Sequence, residues 1–593
     1  MSALPPTEDV TCDAPQPRTV YLETFGCQMN VLDSQLVRGQ LAGLGYRFTD
    51  DWKQADVVLY NTCSVREQAE NKAYSRLGLV GQRKKTHPDI VCGVIGCMAE
   101  RDGLDLFRRY PQVDLLCGPG ELDKVPMLID NVVRTRAQEA PGRGAKDHNV
   151  QALALQGQRN WRDKEEFSAL QGNTHRRSST LAAAEDTLEL LDLSRSFSPD
   201  EFKGAAYVRI TRGCNKFCTY CVVPNTRGRE VHRSPDAIVE ECRKLVEAGV
   251  IEITLLGQTV NHYHFNHDAA VTLNGIEQPQ VGEVVTAKAQ GLPANAQGLP
   301  SLGFGRVTTF AQLLARIHDE IPALQRLRFV TSFPRDFGDD ILHTIAARPR
   351  ICRYLHLPVQ SGSNRILKLM NRGYTVEEYR ALLDRIRAIV PDALIASDLI
   401  CGFPTETDED HRATCELLRD ARFKNCFIFK YSPRPGTTAI DRFTDDVPDE
   451  VKRARNNELL RIQATNSDAI HRGYVGKTVR VFVESISEKA QRQAKADELK
   501  ETRRHREERK LSLMLAGHHA TDPGEQHALD TTTCDAAPTL APRPPSNPSA
   551  TQLTGRTDGD LIVMFDGDAS LIGTLAEVKI EKHAPLALFG RLA

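Results

Sequence analysis

The residues best equipped for chemistry in this chain are cysteines. In RGCNKFCTYCVVPNTRGRE, Cys214, Cys218 and Cys221 stand in a C-x3-C-x2-C spacing. A structural zinc site takes four protein ligands, as does a simple electron-carrying iron–sulfur cluster. Three thiolates close together leave one position of a bound iron–sulfur cubane without a protein ligand. That position can take a substrate or cofactor. A second trio is spread through the first part of the chain: TFGCQMN, NTCSVRE and GCMAERDG hold Cys27, Cys63 and Cys97. Cys117, in LLCGPGE, occupies a similar place, so pattern alone admits four ligands there. Cys92 falls mid-strand and Cys242 on an apolar helix face, both core positions.

These thiols need elements to hold them. TVYLETFG, ADVVLYNT, DIVCGVIG and VDLLCG are short apolar runs ending in small or polar residues, the pattern of buried parallel strands. Each cysteine of the second trio follows such a run, so one edge of a parallel sheet gathers all three. With helical stretches between, residues 18–135 are expected to form an open α/β domain. Periodicity fades over 136–203, read as a linker with a short helix near DTLELLDL.

A second α/β series occupies 204–466. AYVRIT, IEITLLG, LRFVTSF, YLHLPV, LIASDLIC and FIFKYS are its six expected strands, giving a partial (βα)6 barrel. Cys214, Cys218 and Cys221 then lie in the loop after its first strand, at the carboxyl edge where parallel sheets bind ligands. Ser234-Pro235 and the Thr375/Glu378 capping box mark helix starts. A Gly/Ala/Gln-rich insertion interrupts this series at 266–305. Alternating strands with glycine turns over 470–593 imply a small β-barrel split by a polar insertion at 487–551. The charged run at 489–510 reads as an exposed helix.

Composition adds bounds. The 593 residues exceed one core, net charge is −2, and 26% of residues are charged against 40% hydrophobic. This balance neither demands nor forbids a nucleic-acid partner. Residues 1–17 hold no apolar segment and are expected to be disordered, with no secretory signal. No apolar run is long enough for a membrane span. Fifteen scattered cysteines, an odd count, argue against a disulfide framework and fit a reducing cytoplasm.

The first trio, with Tyr220 inside it, resembles the signature of the radical S-adenosylmethionine (SAM) family. There the open iron of a 4Fe–4S cluster chelates SAM, and an electron from the cluster cleaves it to a carbon radical. Both trios together, with CVVPNTRGRE, LLGQTVNHY, FVTSFP, LHLPVQSGSN, SDLICGFPTET and YSPRPGT, resemble the methylthiotransferases, specifically the tRNA branch known as MiaB. That resemblance implies a second 4Fe–4S cluster on Cys27, Cys63 and Cys97, and none of it carries over to Cys117. It also implies that Gln258, Gln360, Ser361 and Asp398 line a SAM and substrate pocket beside Tyr220. The C-terminal barrel resembles the TRAM domain, an RNA-binding module.

The implied activity is conversion of N6-dimethylallyladenosine at tRNA position 37 to its 2-methylthio derivative. SAM serves there as both radical source and methyl donor. Sister branches act on threonylcarbamoyladenosine or on a ribosomal protein aspartate. An electron donor and a sulfur source are required partners, and a monomer without membrane attachment is expected. Arg227, Arg229 and Arg233, just past the thiol loop, are expected to hold phosphates. Lys477, Arg480 and Arg556 would do so on the barrel. Three positions depart from the family pattern: DSQ at 33–35 in place of DSE, Asn225 in place of tyrosine, and Thr405 in place of glycine.

Overall fold

The computed structural model describes residues 18–64, 67–138, 152–154, 192, 195, 202–267, 307–497, 500 and 551–593. The expected N-terminal tail, most of the 136–203 linker and the greater part of both insertions lie outside those residues. The chain divides into two compact units, residues 1–463 and 464–593.

The first unit opens with an all-parallel sheet of six strands: β1 (Thr19–Thr24), β2 (Arg47–Phe48), β3 (Val57–Thr62), β4 (Val91–Gly96), β5 (Leu115–Cys117) and β6 (Ala152–Ala154). Their spatial order is β2-β1-β3-β4-β5-β6. Every residue of β3 and β4 is buried, which is why both read as unbroken apolar runs. Helix α1 (Gln28–Gly43) follows β1, α2 (Glu67–Lys84) follows β3, and α3 (Cys97–Asp102) follows β4. The sheet extends past the boundary expected at 135. The helix begun at Val125 runs to Gln138, and β6 pairs with β5 from inside the expected linker. A three-residue edge strand is too short to leave an alternation in the sequence.

The six strands expected for the second series are all present: β7 (Ala205–Arg209), β8 (Glu252–Leu256), β9 (Arg326–Phe329), β10 (Tyr354–His356), β11 (Leu394–Cys401) and β12 (Asn425–Lys430). β7, β8 and β9 form one parallel trio and β10, β11 and β12 another. The bridge Leu327↔Ile351 joins them into an open arc, a partial barrel closed by no further strand among the described residues. Thr375 caps the helix Val376–Ile389 reciprocally with Glu378, as the capping box predicts. At the base of the first insertion, His264–Asn266 pairs antiparallel with Val307–Thr309.

A buried ionic network joins this arc to the N-terminal sheet. Asp33 of α1 accepts from Arg209 at 3.2 Å and from Arg227 at 2.8 Å. Asp192 pairs with Arg209, Arg212 and Arg233, while Glu241 pairs with Arg195 and Arg233. Burial alone would raise the Asp192 carboxyl. The three arginines reverse that and hold it below the usual carboxylate range.

The second unit is a closed five-stranded barrel: β13 (Thr478–Ile486), β14 (Thr551–Thr557), β15 (Ile562–Gly567), β16 (Leu575–Ala584) and β17 (Ala587–Leu592), in the order β13-β14-β15-β17-β16. Val481, Val483, Leu553, Val563, Phe565, Val578, Ile580 and Leu588 fill its interior. Within the second insertion, residues 488–497 form a largely exposed helix, while the rest of the charged run 489–510 lies, except for residue 500, outside the described residues.

Candidate active site: two cysteine trios

Cys27 is the N-cap of α1, Cys63 follows β3 and Cys97 opens α3 after β4, so one sheet edge presents all three. Asn30 and Asn61 tie the first two turns together. Asn30 Nδ2 donates to Asn61 Oδ1 (2.9 Å) and to the Thr62 carbonyl (3.1 Å), and Asn61 Nδ2 donates to the Asn30 carbonyl (2.9 Å). The Cys27 thiol donates to Asn30 Oδ1 at 3.1 Å. Gly26, at φ +139°, is required here, because a Cβ would lie 2.4 Å from the Cys63 Cβ.

In the chain without metal, a hydrogen bond with Cys63 lowers the Cys27 thiol to about 6. Burial opposes this, and the Arg227 charge assists. Burial raises Cys97, again offset by Arg227. Three thiols, one with its thiolate form favoured, suit the requirement of iron–sulfur clusters for deprotonated sulfur.

Cys117 does not join them. It is fully buried, and its thiol donates to the Glu121 carbonyl at 3.0 Å. Burial raises it well above an ordinary thiol. Cys92 and Cys242 are core residues, as expected.

The trio of Cys214, Cys218 and Cys221 sits in the loop after β7. Cys214 and Cys218 are buried and Cys221 is half-buried. Gly213, at φ +65°, lets the loop pass the Arg229 carbonyl, which a Cβ would meet at 2.0 Å. Thr219 fastens the loop to the end of a neighbouring helix, its N–H donating to the Met370 carbonyl at 3.0 Å and its hydroxyl to that of Leu369 at 3.0 Å. Burial pushes Cys214 up to about 11 and Cys221 up to about 12.

Arg372 was not legible as a site residue, yet it is buried against this loop. Its Nη1 donates to Cys218 Sγ at 3.3 Å, its Nη2 to the Pro358 carbonyl at 2.7 Å and its Nε to the Tyr374 hydroxyl at 3.0 Å. The Phe333 ring lies 4.5 Å from the guanidinium. Tyr220, half-buried, places its hydroxyl 3.5 Å from Arg372.

Among the other expected pocket residues, Gln360 and Asp398 adjoin. The Gln360 N–H donates to the Asp398 carbonyl at 2.8 Å, with Gln360 at φ +77°. The Asp398 carboxylate meets His356 Nε2 at 3.0 Å. Gln258 follows β8 at the carboxyl edge, and its Oε1 is buried without a hydrogen-bond partner. Ser361 is placed differently. Its hydroxyl is fully buried, accepts from the Ser363 N–H at 3.2 Å and faces Thr414 at 3.4 Å.

The arginines near Cys221 also differ from expectation. Arg227 and Arg233 are consumed by buried carboxylates, Asp33 and Glu241, and cannot serve as phosphate ligands. Only Arg229 of the three is exposed.

An open arc of six parallel strands, with three thiols in the loop after the first, defines a radical SAM protein. Family models agree: residues 208–418 match the radical SAM superfamily, 19–118 the Uncharacterized protein family UPF0004, and 545–593 the TRAM domain. The chain belongs to the family of tRNA-2-methylthio-N(6)-dimethylallyladenosine synthases. It is 39% identical to the protein of that name from Rhodopirellula baltica, over 97% of this chain and 95% of that one. A second relative of the same name, from Azobacteroides pseudotrichonymphae, is 37% identical over 80% of this chain and 88% of its own. Among solved structures, a radical SAM methyltransferase from Kitasatospora setae superposes with a TM-score of 0.43 at 15% identity, covering 69% of this chain and 72% of that one.

Proposed function

We infer that the protein is a tRNA methylthiotransferase, which converts N6-dimethylallyladenosine at position 37 to its 2-methylthio derivative by radical SAM chemistry. The observation that carries this reading is 39% identity over 97% of the chain with a relative of that name, in a sequence that holds both cysteine trios.

Cys214, Cys218 and Cys221 would hold one 4Fe–4S cluster, and Cys27, Cys63 and Cys97 a second. When bound, these groups supply the electron for reductive SAM cleavage and a landing place for the incoming sulfur. Such chemistry is needed because the target ring carbon is too weakly nucleophilic for ordinary alkylation. The chain's own part is positional. Arg372 directs a hydrogen bond and a fixed positive charge at the Cys218 sulfur, fixing where it points. Arg227 brings its positive charge to Cys27 and Cys97 from the opposite side of the domain junction, where it lowers Cys27 and partly offsets the effect of burial on Cys97. Tyr220, Gln258, Gln360 and Asp398 are the groups we assign to the SAM pocket, with the Ser361 hydroxyl holding the turn that follows through the Ser363 N–H.

The functional divisions we propose are the N-terminal sheet, the radical SAM core over 204–466 and the barrel from 470, which would bind tRNA. An electron donor and a sulfur source complete the reaction, which we place in the cytoplasm and assign to a monomer. Among the described residues no helix is long and apolar enough to cross a membrane. The test is nucleoside mass spectrometry of tRNA from a strain lacking the gene and from its complement. The 2-methylthio derivative of dimethylallyladenosine should vanish and return. If threonylcarbamoyladenosine lost its methylthio group instead, the sister activity would be the correct one.

A further inference from the structure

Beside the thiol loop, three imidazoles converge that no part of the proposed reaction uses. His232 lies on the short strand Val231–His232, His262 ends the turn Val260–His262, and His264 begins the strand His264–Asn266. One ring nitrogen from each lies within 4.8 Å of the others. Ring centroids are 4.3 Å apart for His232 and His264, and 5.0 Å for His262 and His264.

The scaffold beneath is rigid. Asn261 is clamped to the Phe333 backbone through two hydrogen bonds (2.9 and 2.7 Å), and the buried Tyr263 donates from its hydroxyl to the Arg233 carbonyl at 2.8 Å. Those two residues point into the core, so His262 and His264 are presented together on the other side. Two of the three rings already have one nitrogen engaged. His262 Nδ1 meets Glu230 Oε1 at 3.0 Å, and His264 Nδ1 meets the His262 carbonyl at 2.8 Å. In both cases Nε2 is left for a ligand. His232 Nδ1 is buried with no hydrogen-bond partner.

We propose that His232, His262 and His264 form a binding site for a divalent transition-metal ion of the zinc class, with Glu230 orienting His262 and a fourth position open to solvent. Imidazole suits such ions, and a carboxylate behind a ligating histidine fixes its tautomer and raises its basicity. Tetrahedral zinc at its usual bond length sets nitrogens about 3.3 Å apart, so small side-chain rotations suffice. Burial and the neighbouring imidazoles lower His232 to about 3, which keeps it in the neutral form that ligates. Lys216, whose charge also lowers this ring, is engaged by Asp336 at 2.5 Å. Glu230 is itself anchored to the thiol loop, its N–H donating to Asn215 Oδ1 at 3.1 Å. A bound ion would therefore brace the thiol loop against the segment that follows β8.

The probe is Zn2+. Tag-free full-length chain, reconstituted with its iron–sulfur clusters and stripped of loose metal, is titrated with Zn2+ against a chromophoric chelator while iron is monitored. A single zinc equivalent should bind with no loss of iron. His264→Ala, at an exposed position, should abolish that equivalent and keep iron content and circular dichroism. Glu230→Gln should keep the stoichiometry and weaken affinity by about 10–100-fold. Absence of zinc binding in the parent chain would overturn the site, as would its persistence in both His262→Ala and His264→Ala.

Discussion

Arg227 donates from Nη2 to Asp33 Oδ2 across 2.8 Å, joining the loop beyond Cys221 to the helix that Cys27 caps. Both side chains are buried, and Arg227 also acts on Cys27 and Cys97. This arginine therefore belongs to both trios, by sequence to one and by contact to the other.

Removing one partner of a buried pair leaves an uncompensated charge, which costs about 3–5 kcal/mol. Arg227→Met should fall at the low end, since Asp33 keeps Arg209. The double change Arg227→Met with Asp33→Asn should be less destabilised than the two singles summed, because neither orphan charge remains. Denaturant unfolding of the four proteins measures the coupling. Additive losses would mean that the pair is incidental.

The trios should separate by product. Cys214→Ala, Cys218→Ala or Cys221→Ala should abolish both 5′-deoxyadenosine formation and thiolation, with loss of about half the bound iron if each trio holds one four-iron cluster. Cys27→Ala, Cys63→Ala or Cys97→Ala should lose a similar share of iron and all thiolation, yet still cleave SAM. Normal thiolation by any of the latter three would remove the N-terminal trio from the mechanism.

Much of this was legible because buried parallel strands are contiguous apolar runs, and a cysteine just past each run must fall on one edge. The six core strands and the Thr375 cap were legible for the same local reasons. What the sequence conceals is pairing at a distance. RGRE displays cationic residues, but only the fold shows Arg227 and Arg233 buried against Asp33 and Glu241. Arg372 is separated from Cys218 by three of the six core strands, and the three histidines converge only once strand and turn are folded. The Ser361 hydroxyl is taken up by the Ser363 N–H and Thr414, partners that lie in the following turn and on a distant helix. β6 left no signal because three residues carry no period.

In the metal-free chain the trios should differ in thiol reactivity. The thiolate is the reacting form, so alkylation rises as pH passes the thiol's own value. Cys27, lowered to about 6, should reach half its limiting rate near there, and be largely ionised at neutral pH. Cys214 at about 11 and Cys221 at about 12 should label little below pH 9. Peptide-resolved iodoacetamide labelling from pH 5 to 9 reads this directly. A shared midpoint for Cys27 and Cys221 would refute the role given to Cys63 and Arg227.

Thr405 sits at φ +67°. The left-handed region costs a non-glycine residue about 1–2 kcal/mol, and a β-branched one is a marked outlier there. Its N–H donates to Asp446 at 2.7 Å and its carbonyl accepts from Arg365 at 2.5 Å, and a glycine keeps both backbone contacts. Only the hydroxyl contact with Arg365, at 3.1 Å on the surface, is lost. Thr405→Gly should therefore stabilise the chain by about 1 kcal/mol, whereas Thr405→Ala, which keeps the Cβ, should not. Thermal unfolding of the two variants separates strain relief from loss of the hydroxyl.

The barrel's contribution to tRNA affinity should come from its unpaired cations. Arg556 is held by Glu484 and by Asp560, each at 3.0 Å, and Arg480 lies 3.4 Å from Asp558, so both are partly neutralised where they stand. Lys477, Lys579 and Lys582 are exposed and enter no ion pair among the described residues. Lys477 and Lys579 lie close in the fold, since Lys579 pairs with Thr478 across β13 and β16. A chain of net charge −2 has no global attraction for tRNA, so local contacts must supply it. Each phosphate contact contributes about 0.7–0.9 to the slope of log affinity against log salt. Lys477→Ala with Lys579→Ala should reduce that slope by about 1–2 and raise the tRNA concentration for half-maximal rate. The modified nucleoside should be unchanged, because phosphates carry no sequence information. Arg556→Ala should alter the slope little, since that guanidinium already spends its charge on Glu484 and Asp560. A double lysine variant with the parent's slope would take the barrel out of phosphate binding and shift that task to surfaces such as exposed Arg229.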